Sequence, residues 1–216
     1  MSALPRVAVL ALAGGAVVLT TACSLSINTD GHTVTQSFEV DDFDSVEIAQ
    51  PFDATVTVGE ETGVEVEINE ELVDRLEVEV DGDRLVVQLT GGLVASSGPM
   101  VVHITTPELA ALSADGAANV EIDGLDAESF DLRVDGASNV SADGSVTTLT
   151  LDANGASNVD FEQVSVGTAS VTVDGAANAD FDALDEIRGS VKGAGSVDVS
   201  NETSVDVSTS GAGSIG

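Results

Sequence analysis

The second half of the chain repeats one short phrase six times, and this repeat limits the possible folds more than any other feature. Each copy has Gly at its second position and Ala at its third. The copies are residues 115–120, 135–140, 154–159, 174–179, 192–197 and 210–215. Successive Gly residues are separated by 20, 19, 20, 18 and 18 positions. A repeat of this length is a structural unit that must stack on its neighbours to bury its apolar residues.

Apolar and polar residues alternate on both sides of each Gly. The apolar positions lie two, four and six residues before the Gly and four and six residues after it, with Gly189 and Thr209 as the exceptions. Around Gly136 they hold Phe130, Leu132, Val134, Val140 and Ala142. A period of two is typical of a strand with one buried face. Each repeat is therefore predicted to be a strand, a tight turn and a second strand.

Two all-β architectures are compatible with this pattern. Asp-Gly turns favour a meander of hairpins, whereas the constant repeat length and the recurrence of like residues at one offset favour a parallel coil. In a parallel stack, equivalent residues line up along the axis at about 4.8 Å per coil. The fold class we predict is all-β, a parallel β-helix with coils of about 18–20 residues.

One polar column stands out in the predicted stack. The amides of Asn119, Asn139, Asn158 and Asn178 would form a ladder that Ser196 and Ser214 continue. We interpret this column as an internal structural ladder, and an array that grips a glycan is the alternative.

The first half has the same alternation, less regularly. Alternating runs occupy 46–48, 54–58, 64–68, 76–80, 85–89 and 101–105. Asp81-Gly82 could be a hairpin turn or a β-helix corner, residues 70–75 are compatible with one helical turn, and 91–99 is a Gly/Ser-rich loop. Since composition does not change between the halves, one domain is predicted over residues 37–216.

The N-terminus resembles an export signal. Arg6 precedes 16 residues without charge, Val7 to Ala22, which is too short for a comfortable membrane span. The run ends Leu19-Thr-Thr-Ala-Cys23, which resembles the lipobox of bacterial lipoproteins although Thr20 replaces the usual Leu. We predict a signal peptide at 1–22, a lipidated Cys23 and a tether to residue 36. An ordinary secretory signal is the alternative. Lipidation would anchor the exported chain to the outer face of the cell membrane.

Composition excludes several classes of protein and partner. Of 216 residues, 38 are acidic and 6 basic, for a net charge of −32, and 43% are hydrophobic. This apolar content is too high for a disordered acidic chain. One Cys excludes a disulfide framework and a Cys-based zinc site. So few cations also make a nucleic-acid partner improbable.

Several phrases of the first half together carry a family resemblance. They are Phe43–Ile48, Pro51–Val58, Val64–Ile68, Leu85–Val87 and Ile104–Leu109. With the Gly-Ala repeats behind them, they resemble the bacterial head GIN domain family, described as "putative auto-transporter adhesin" head domains. The resemblance covers residues 37–216. It implies a right-handed parallel β-helix exported to the cell envelope, and it implies no established reaction and no catalytic residues.

Carboxylates recur at two offsets from the corner Gly. Asp115, Asp135 and Asp174 come directly before it, and Asp160 and Asp180 come five residues after it. Carboxylates about 5 Å apart on adjacent coils repel each other, which raises their pKa values or recruits a divalent cation. Weak Ca²⁺ binding by these five residues is one interpretation. The favoured one is a solvated acidic surface, because the repeat lacks the Gly-Gly-x-Gly-x-Asp pattern of calcium-binding β-rolls. No other cofactor is predicted.

The candidates for catalysis are scattered. His32 lies in the tether and His103 in a strand, while Arg133, Arg188 and Lys192 lie on separate coils. We therefore predict an envelope-anchored, non-enzymatic, adhesin-like protein that binds a surface glycan or a protein. The alternatives are a polysaccharide-modifying β-helix enzyme and a purely structural envelope scaffold. Exposed strand edges associate, so self-association through the C-terminal coil is also predicted.

Overall fold

The computed structural model describes residues 32–49, 51–91 and 98–216, and it confirms a parallel β-helix of about five turns. The predicted signal peptide, Cys23 and most of the predicted tether lie outside the described residues, as does most of the loop at 91–99. Within the described ranges, no helix is long and apolar enough to cross a bilayer.

Short strands make up the first half and long, bent strands the second. The first half contains β1 (Thr33–Phe38), β2 (Ser45–Ala49), β3 (Asp53–Val58), β4 (Gly63–Asn69), a 3₁₀ helix (Glu70–Arg75), β5 (Leu76–Asp81), β6 (Arg84–Leu89), β7 (Met100–Thr106) and β8 (Ala111–Asp115). The second half contains β9 (Asn119–Val134), β10 (Asn139–Gly155), β11 (Asn158–Gly175), β12 (Asn178–Gly193), β13 (Ser196–Gly211) and β14 (Ser214–Ile215). The six predicted runs and the predicted helical turn are all present.

The repeats stack in parallel and in register. Strands β9 to β14 pair in sequence order, so that Val140 lies beside Val120 on one side and Val159 on the other. The corner glycines align in the same way, Gly155 with Gly175 and Gly175 with Gly193. This register is what the constant offsets in the sequence predicted, and it excludes the meander of hairpins.

The alternating apolar residues form one continuous core. Leu132, Leu151 and Val171 are nearly or completely buried, as are almost all the apolar positions predicted from the repeat. Three phenylalanines pack against each other inside the coil. Phe130 and Phe161 are stacked with 6.5 Å between their ring centroids, and Phe161 and Phe181 meet edge to face at 6.1 Å. The core thins at the last coil, where Val207 is half-buried.

The corner Gly of each coil touches the corner of the coil before it. Gly155 has φ of +81°, and a Cβ atom there would overlap the carbonyl oxygen of Gly136. The same carbonyl accepts a hydrogen bond of 2.7 Å from the backbone amide of Ala156. Backbone therefore packs directly on backbone at this corner, which leaves no room for a side chain.

The coils of the first half do not stack in chain order. Strand β3 lies between β7 and β9, and β2 lies between β6 and β8, all in parallel. The segment 45–58 is therefore inserted between two coils that follow it in the sequence. The buried hydroxyl of Thr106 holds the crossing together, because its one proton lies between two carbonyl oxygens, that of Phe43 at 2.8 Å and that of Glu108 at 2.9 Å from Oγ1.

Antiparallel strands cover the N-terminal end of the stack. Strand β4 pairs with β7, β1 pairs with β4, and β5 pairs with β6. The Asp81-Gly82 pair, for which two interpretations were open, lies in the hairpin turn between β5 and β6. The tether prediction needs one correction, because Thr33 to Gln36 belong to β1. These residues pair antiparallel with β4, so they belong to the sheet and not to an irregular linker.

The corner geometry generates a prediction with a matched control. Gly155→Ala combines a left-handed backbone with an overlap against Gly136, so we expect it to lower the free energy of unfolding by about 3–4 kcal/mol. Gly82→Ala has a similar φ of +69° but no atom within 4 Å of the added Cβ. It should cost only about 1–2 kcal/mol. Urea unfolding of both variants measures the difference, and equal losses would contradict the close packing of the corners.

Candidate functional site

The Asn column forms a continuous hydrogen-bonded ladder across the coils. The side-chain amide of Asn139 donates to Oδ1 of Asn119 at 2.8 Å, and Asn158 donates to Asn139 at 2.9 Å. Asn178 donates to Asn158 at 3.0 Å, and the hydroxyl of Ser196 donates to Asn178 at 3.0 Å. The ladder is therefore present as the sequence predicted, but each Asn donates to its neighbour on the preceding coil rather than to the next one.

The ladder ends at a carboxylate, which the repeat did not reveal. Nδ2 of Asn119 donates to Oδ1 of Asp53 at 2.8 Å, because β3 is the strand that lies beside β9. An ionised carboxylate only accepts hydrogen bonds. Asn119 must therefore present its amide nitrogen to Asp53, and every amide behind it is oriented in the same direction. Asp53 is the residue that sets the polarity of the ladder.

The ladder lies on the outside of the β-helix, which corrects the prediction of an internal ladder. Asn119, Asn139 and Asn158 are exposed and Asn178 is half-buried. A signal for this was present in the sequence, since each of the first three Asn directly precedes an inward-facing Val and alternate residues of a strand face opposite sides. We name this surface, with Asp53 and the four Asn at its centre, the ladder face.

A second outward column runs beside the ladder, two residues further along each strand. It consists of Thr55, Glu121, Ser141, Asp160, Asp180 and Asp198. Between the two columns lies a shallow, open groove with a volume of about 350 Å³. Its polar lining comprises Asp53, Thr55, Asn119, Glu121, Asn139, Ser141, Asn158 and Asp160. The groove crosses the coils along the axis of the stack.

Repulsion between coils is visible at Asp180. Partial burial raises the pKa of its carboxyl above the ordinary value, and the neighbouring charges of Asp198 and Asp160 raise it further. The contribution of the two neighbouring charges is the effect that the sequence predicted for carboxylates on adjacent coils, whereas burial, the larger cause, was not predicted.

The acids before the corner glycines form a separate column. The pKa of Asp115 is raised, first by burial and then by the charge of Asp135 on the next coil. The hydroxyl of Ser113, which donates to Asp115 at 3.3 Å, and the charge of Arg133 oppose this rise. Arg133 also forms an ion pair with Asp135, with 2.7 Å between Nε and Oδ2.

The five predicted calcium ligands do not converge on one site. Asp115, Asp135 and Asp174 lie in the column before the corner, with Asn154 between the last two, whereas Asp160 and Asp180 lie on the ladder face. In the part of the chain that the structure describes, no three side chains of His, Cys, Asp or Glu lie close enough together to hold a metal ion. Calcium binding stays a prediction.

The sequence predicted Arg133, Arg188 and Lys192 on separate coils, which is wrong for the last two, since Arg188 and Lys192 both lie on β12. His103 is exposed on β7, with Glu65 and Thr55 as its cross-strand neighbours. Arg84 forms an ion pair with Glu47, 3.0 Å between nitrogen and oxygen, in a second groove of about 580 Å³ that Arg133 also lines. Arg188 forms an ion pair with Glu186 on its own strand.

Aromatic side chains take no part in the ladder face. The chain has six Phe and neither Trp nor Tyr. Five of the Phe side chains are buried, and Phe38 is half-buried against the core. A ligand on the ladder face would therefore be held by hydrogen bonds and charge rather than by stacking on aromatic rings.

The C-terminal coil has a looser surface than the others. Val205 on β13 is 37% exposed, the one large hydrophobic side chain among the described residues to be exposed. The predicted self-association through this coil stays a prediction.

The family model described as "Putative auto-transporter adhesin, head GIN domain" matches residues 42–216. The chain belongs to this family. Its membership confirms the resemblance seen in the sequence. A search of curated proteins found no match.

Solved structures share the fold of this head GIN domain at low sequence identity. A "putative adhesin" from Bacteroides fragilis is 18% identical with a TM-score of 0.70, and the match covers 85% of this chain and 95% of that one. A "putative adhesin" from Parabacteroides merdae is 17% identical with a TM-score of 0.53, covering 86% and 96%. A "putative lipid binding protein" from Parabacteroides distasonis is 15% identical with a TM-score of 0.51, covering 86% and 96%. At these identities the likeness establishes the fold alone.

The raised pKa of Asp180 leads to a pH-dependent prediction. A carboxyl whose folded pKa is raised binds protons more tightly when folded, so its contribution favours folding below its unfolded pKa and is lost as pH rises through the folded pKa. Asp180→Asn removes this loss, so we expect a higher Tm at neutral pH and a gain that shrinks towards zero in acid. Thermal melts over a pH series test this, with Asp206→Asn on β13 as the charge-matched control. A Tm at pH 7 that is unchanged or lower would contradict it.

Proposed function

We propose that the protein is an envelope-anchored, non-enzymatic lipoprotein whose β-helix exposes the ladder face as an adhesin-like binding surface. The observation that carries the proposal is the outward ladder, in which four amides and one carboxylate align across five strands. The carboxylate and three of the amides line an open groove. Such an array offers hydrogen-bonding groups at a constant spacing. Membership of a family described as adhesin head domains supports the same function.

The anchoring part of the proposal rests on Cys23 and on the position of β1. Thr33, the first residue of β1, lies ten positions after Cys23 in the sequence. Even fully extended, such a segment spans at most about 35 Å. A lipid on Cys23 would hold the end of the β-helix covered by β1 and β4 near the membrane and leave the later coils further out.

Lipidation is tested by replacing the single Cys. We expect the wild-type chain, expressed in a bacterium that processes lipoproteins, to incorporate a labelled fatty acid and to fractionate with membranes. Cys23→Ala should abolish the label and release the chain in soluble form, because acyl chains supply the membrane affinity. A labelled Cys23→Ala chain, or an unlabelled wild type, would exclude this anchor.

The non-enzymatic part rests on the imidazole and the cations, which would have to assist a pair of carboxyl groups in catalysis. A glycosidase needs a pair of carboxyl groups with distinct roles, or a base beside a reacting group. The exposed His103 has no carboxylate within ion-pair distance among the described residues. The cations Arg84, Arg133 and Arg188 are already paired with Glu47, Asp135 and Glu186.

One experiment separates binding, turnover and a purely structural role. The purified protein is mixed with bacterial cell walls and a panel of glycans, and co-sedimentation and new reducing ends are measured in the same tubes. We expect binding without release. Ser141→Arg, which fills the groove, should abolish binding, whereas Ser145→Arg on the same strand but outside the groove should not. Release of reducing ends would establish an enzyme, and absence of binding would favour a scaffold.

A further inference from the structure

The ladder leaves one donor and one acceptor exposed on each rung. An Asn amide has two N–H groups and a carbonyl oxygen with two lone pairs. Within the ladder, Asn139 and Asn158 each use one N–H and one lone pair. The remaining groups face solvent, because both residues are exposed. Since all the amides point in one direction, the same donor and acceptor recur at about 4.8 Å, the spacing of strands.

The column beside the ladder supplies mainly acceptors. Glu121, Ser141 and Asp160 follow the Asn rungs by two residues, which places them about 6.6 Å away along the strands. The groove between the columns is open at its surface and runs across several coils. This shape fits a linear occupant that lies along the axis and repeats its own groups at nearly the spacing of the coils.

Charge restricts the chemistry of that occupant. None of the described residues that line the groove is Lys or Arg. Three of them are acidic, namely Asp53, Glu121 and Asp160. Partial burial, and after it the charges of Asp198 and Asp160, raise the pKa of Asp180 and so oppose its ionisation. A polyanion would add to this repulsion, whereas a cationic group on the ligand would relieve it. Charge complementarity therefore favours a cation.

The surface is unlike a typical protein-binding site. Protein interfaces gather their binding energy in buried aromatic and Arg anchors with an apolar centre. Among the described residues that line the groove there is no aromatic and no Arg side chain, and the apolar ones are buried except for the half-buried Val101. Val205, the exposed large hydrophobic, lies on β13 and does not line the groove. Many weak polar rungs can instead hold a ligand whose hydroxyl groups repeat, since binding to successive rungs is additive within one chain.

We propose that the ladder face binds a linear glycan whose sugars carry free amino groups. Its hydroxyls bind to the amide ladder, and its ammonium groups bind to the acidic residues of the column beside the ladder. The glycan lies along the β-helix axis and forms hydrogen bonds with one rung of the ladder on each coil. This inference names the ligand class of the site proposed above and rests on that function.

Titration calorimetry with glucosamine oligomers tests the proposal. The purified protein is titrated with oligomers from the disaccharide to the hexasaccharide, at low salt and at a pH where the sugar amines are protonated and ordinary carboxyls are ionised. We expect affinity to rise with oligomer length and to fall with added salt. The N-acetylated oligomers of the same lengths should bind about 10-fold more weakly, and galacturonate oligomers not at all.

Two pairs of substitutions locate the binding. Asp160→Asn with Asp180→Asn should weaken binding of the glucosamine hexamer about 10-fold. Asp131→Asn with Asp206→Asn makes the same change in net charge away from the ladder face, and should leave affinity unchanged. Asn139→Ser uses a residue that the ladder itself carries at Ser196, so it keeps the fold, and it should flatten the dependence on oligomer length. Thermal melts confirm that each variant is folded.

The outcomes separate this inference from the function it rests on. Equal loss in both Asp pairs, or equally tight binding of oligolysine, would show attraction to the net charge alone and overturn the inference. Binding of neutral or acidic glycans at a groove that Ser141→Arg blocks would overturn the amine requirement but keep the binding function. If no glycan or cell wall binds, both fail.

Discussion

The close contact between corner glycines is the constraint on which the rest of the repeat region depends. At each corner the backbone of one coil lies against the carbonyl of the preceding one, and the following Ala amide donates to it, as Ala156 does to Gly136 and Ala176 to Gly155. A side chain at Gly155 would overlap this carbonyl, so only one register between coils lets the corners meet. Every column on the strands inherits its alignment from that register.

The same alignment has opposite effects on different side chains. It brings amides such as Asn139 and Asn158 within 2.9 Å of each other, where a donor meets an acceptor and both are satisfied. It also brings Asp160, Asp180 and Asp198 into one column, where partial burial and then the like charges of its neighbours raise the pKa of Asp180. In the column before the corner, Asn154 and Lys192 interrupt the run of acids and Arg133 forms an ion pair with Asp135. The ladder face combines paired amides with a column of carboxylates that repel each other. A ligand that carries cations would reduce this repulsion.

The first half contributes what the repeat lacks, a covered end and a terminus for the ladder. Strands β4 and β5 pair antiparallel with β7 and β6, and β1 covers β4, so the parallel stack does not end in a long open edge there. Insertion of β2 and β3 between later coils places Asp53 beside Asn119. An irregular connection in the chain thus provides the one carboxylate that orients a regular array.

The sequence by itself determined the parallel stack, the buried columns, the Asn partners and the turn at 70–75, because these depend on local alternation and on a repeat that aligns with itself. It also carried the family resemblance and the repulsion at Asp180. It did not place β3 between β7 and β9, choose a hairpin at Gly82 or put Thr33 in a strand, since these depend on which distant edges meet. The outward position of the ladder could be predicted, because Asn139 directly precedes the inward-facing Val140. The role of Asp53 was not, because the register of a single strand outside the repeat is decided only when the chain folds back over it.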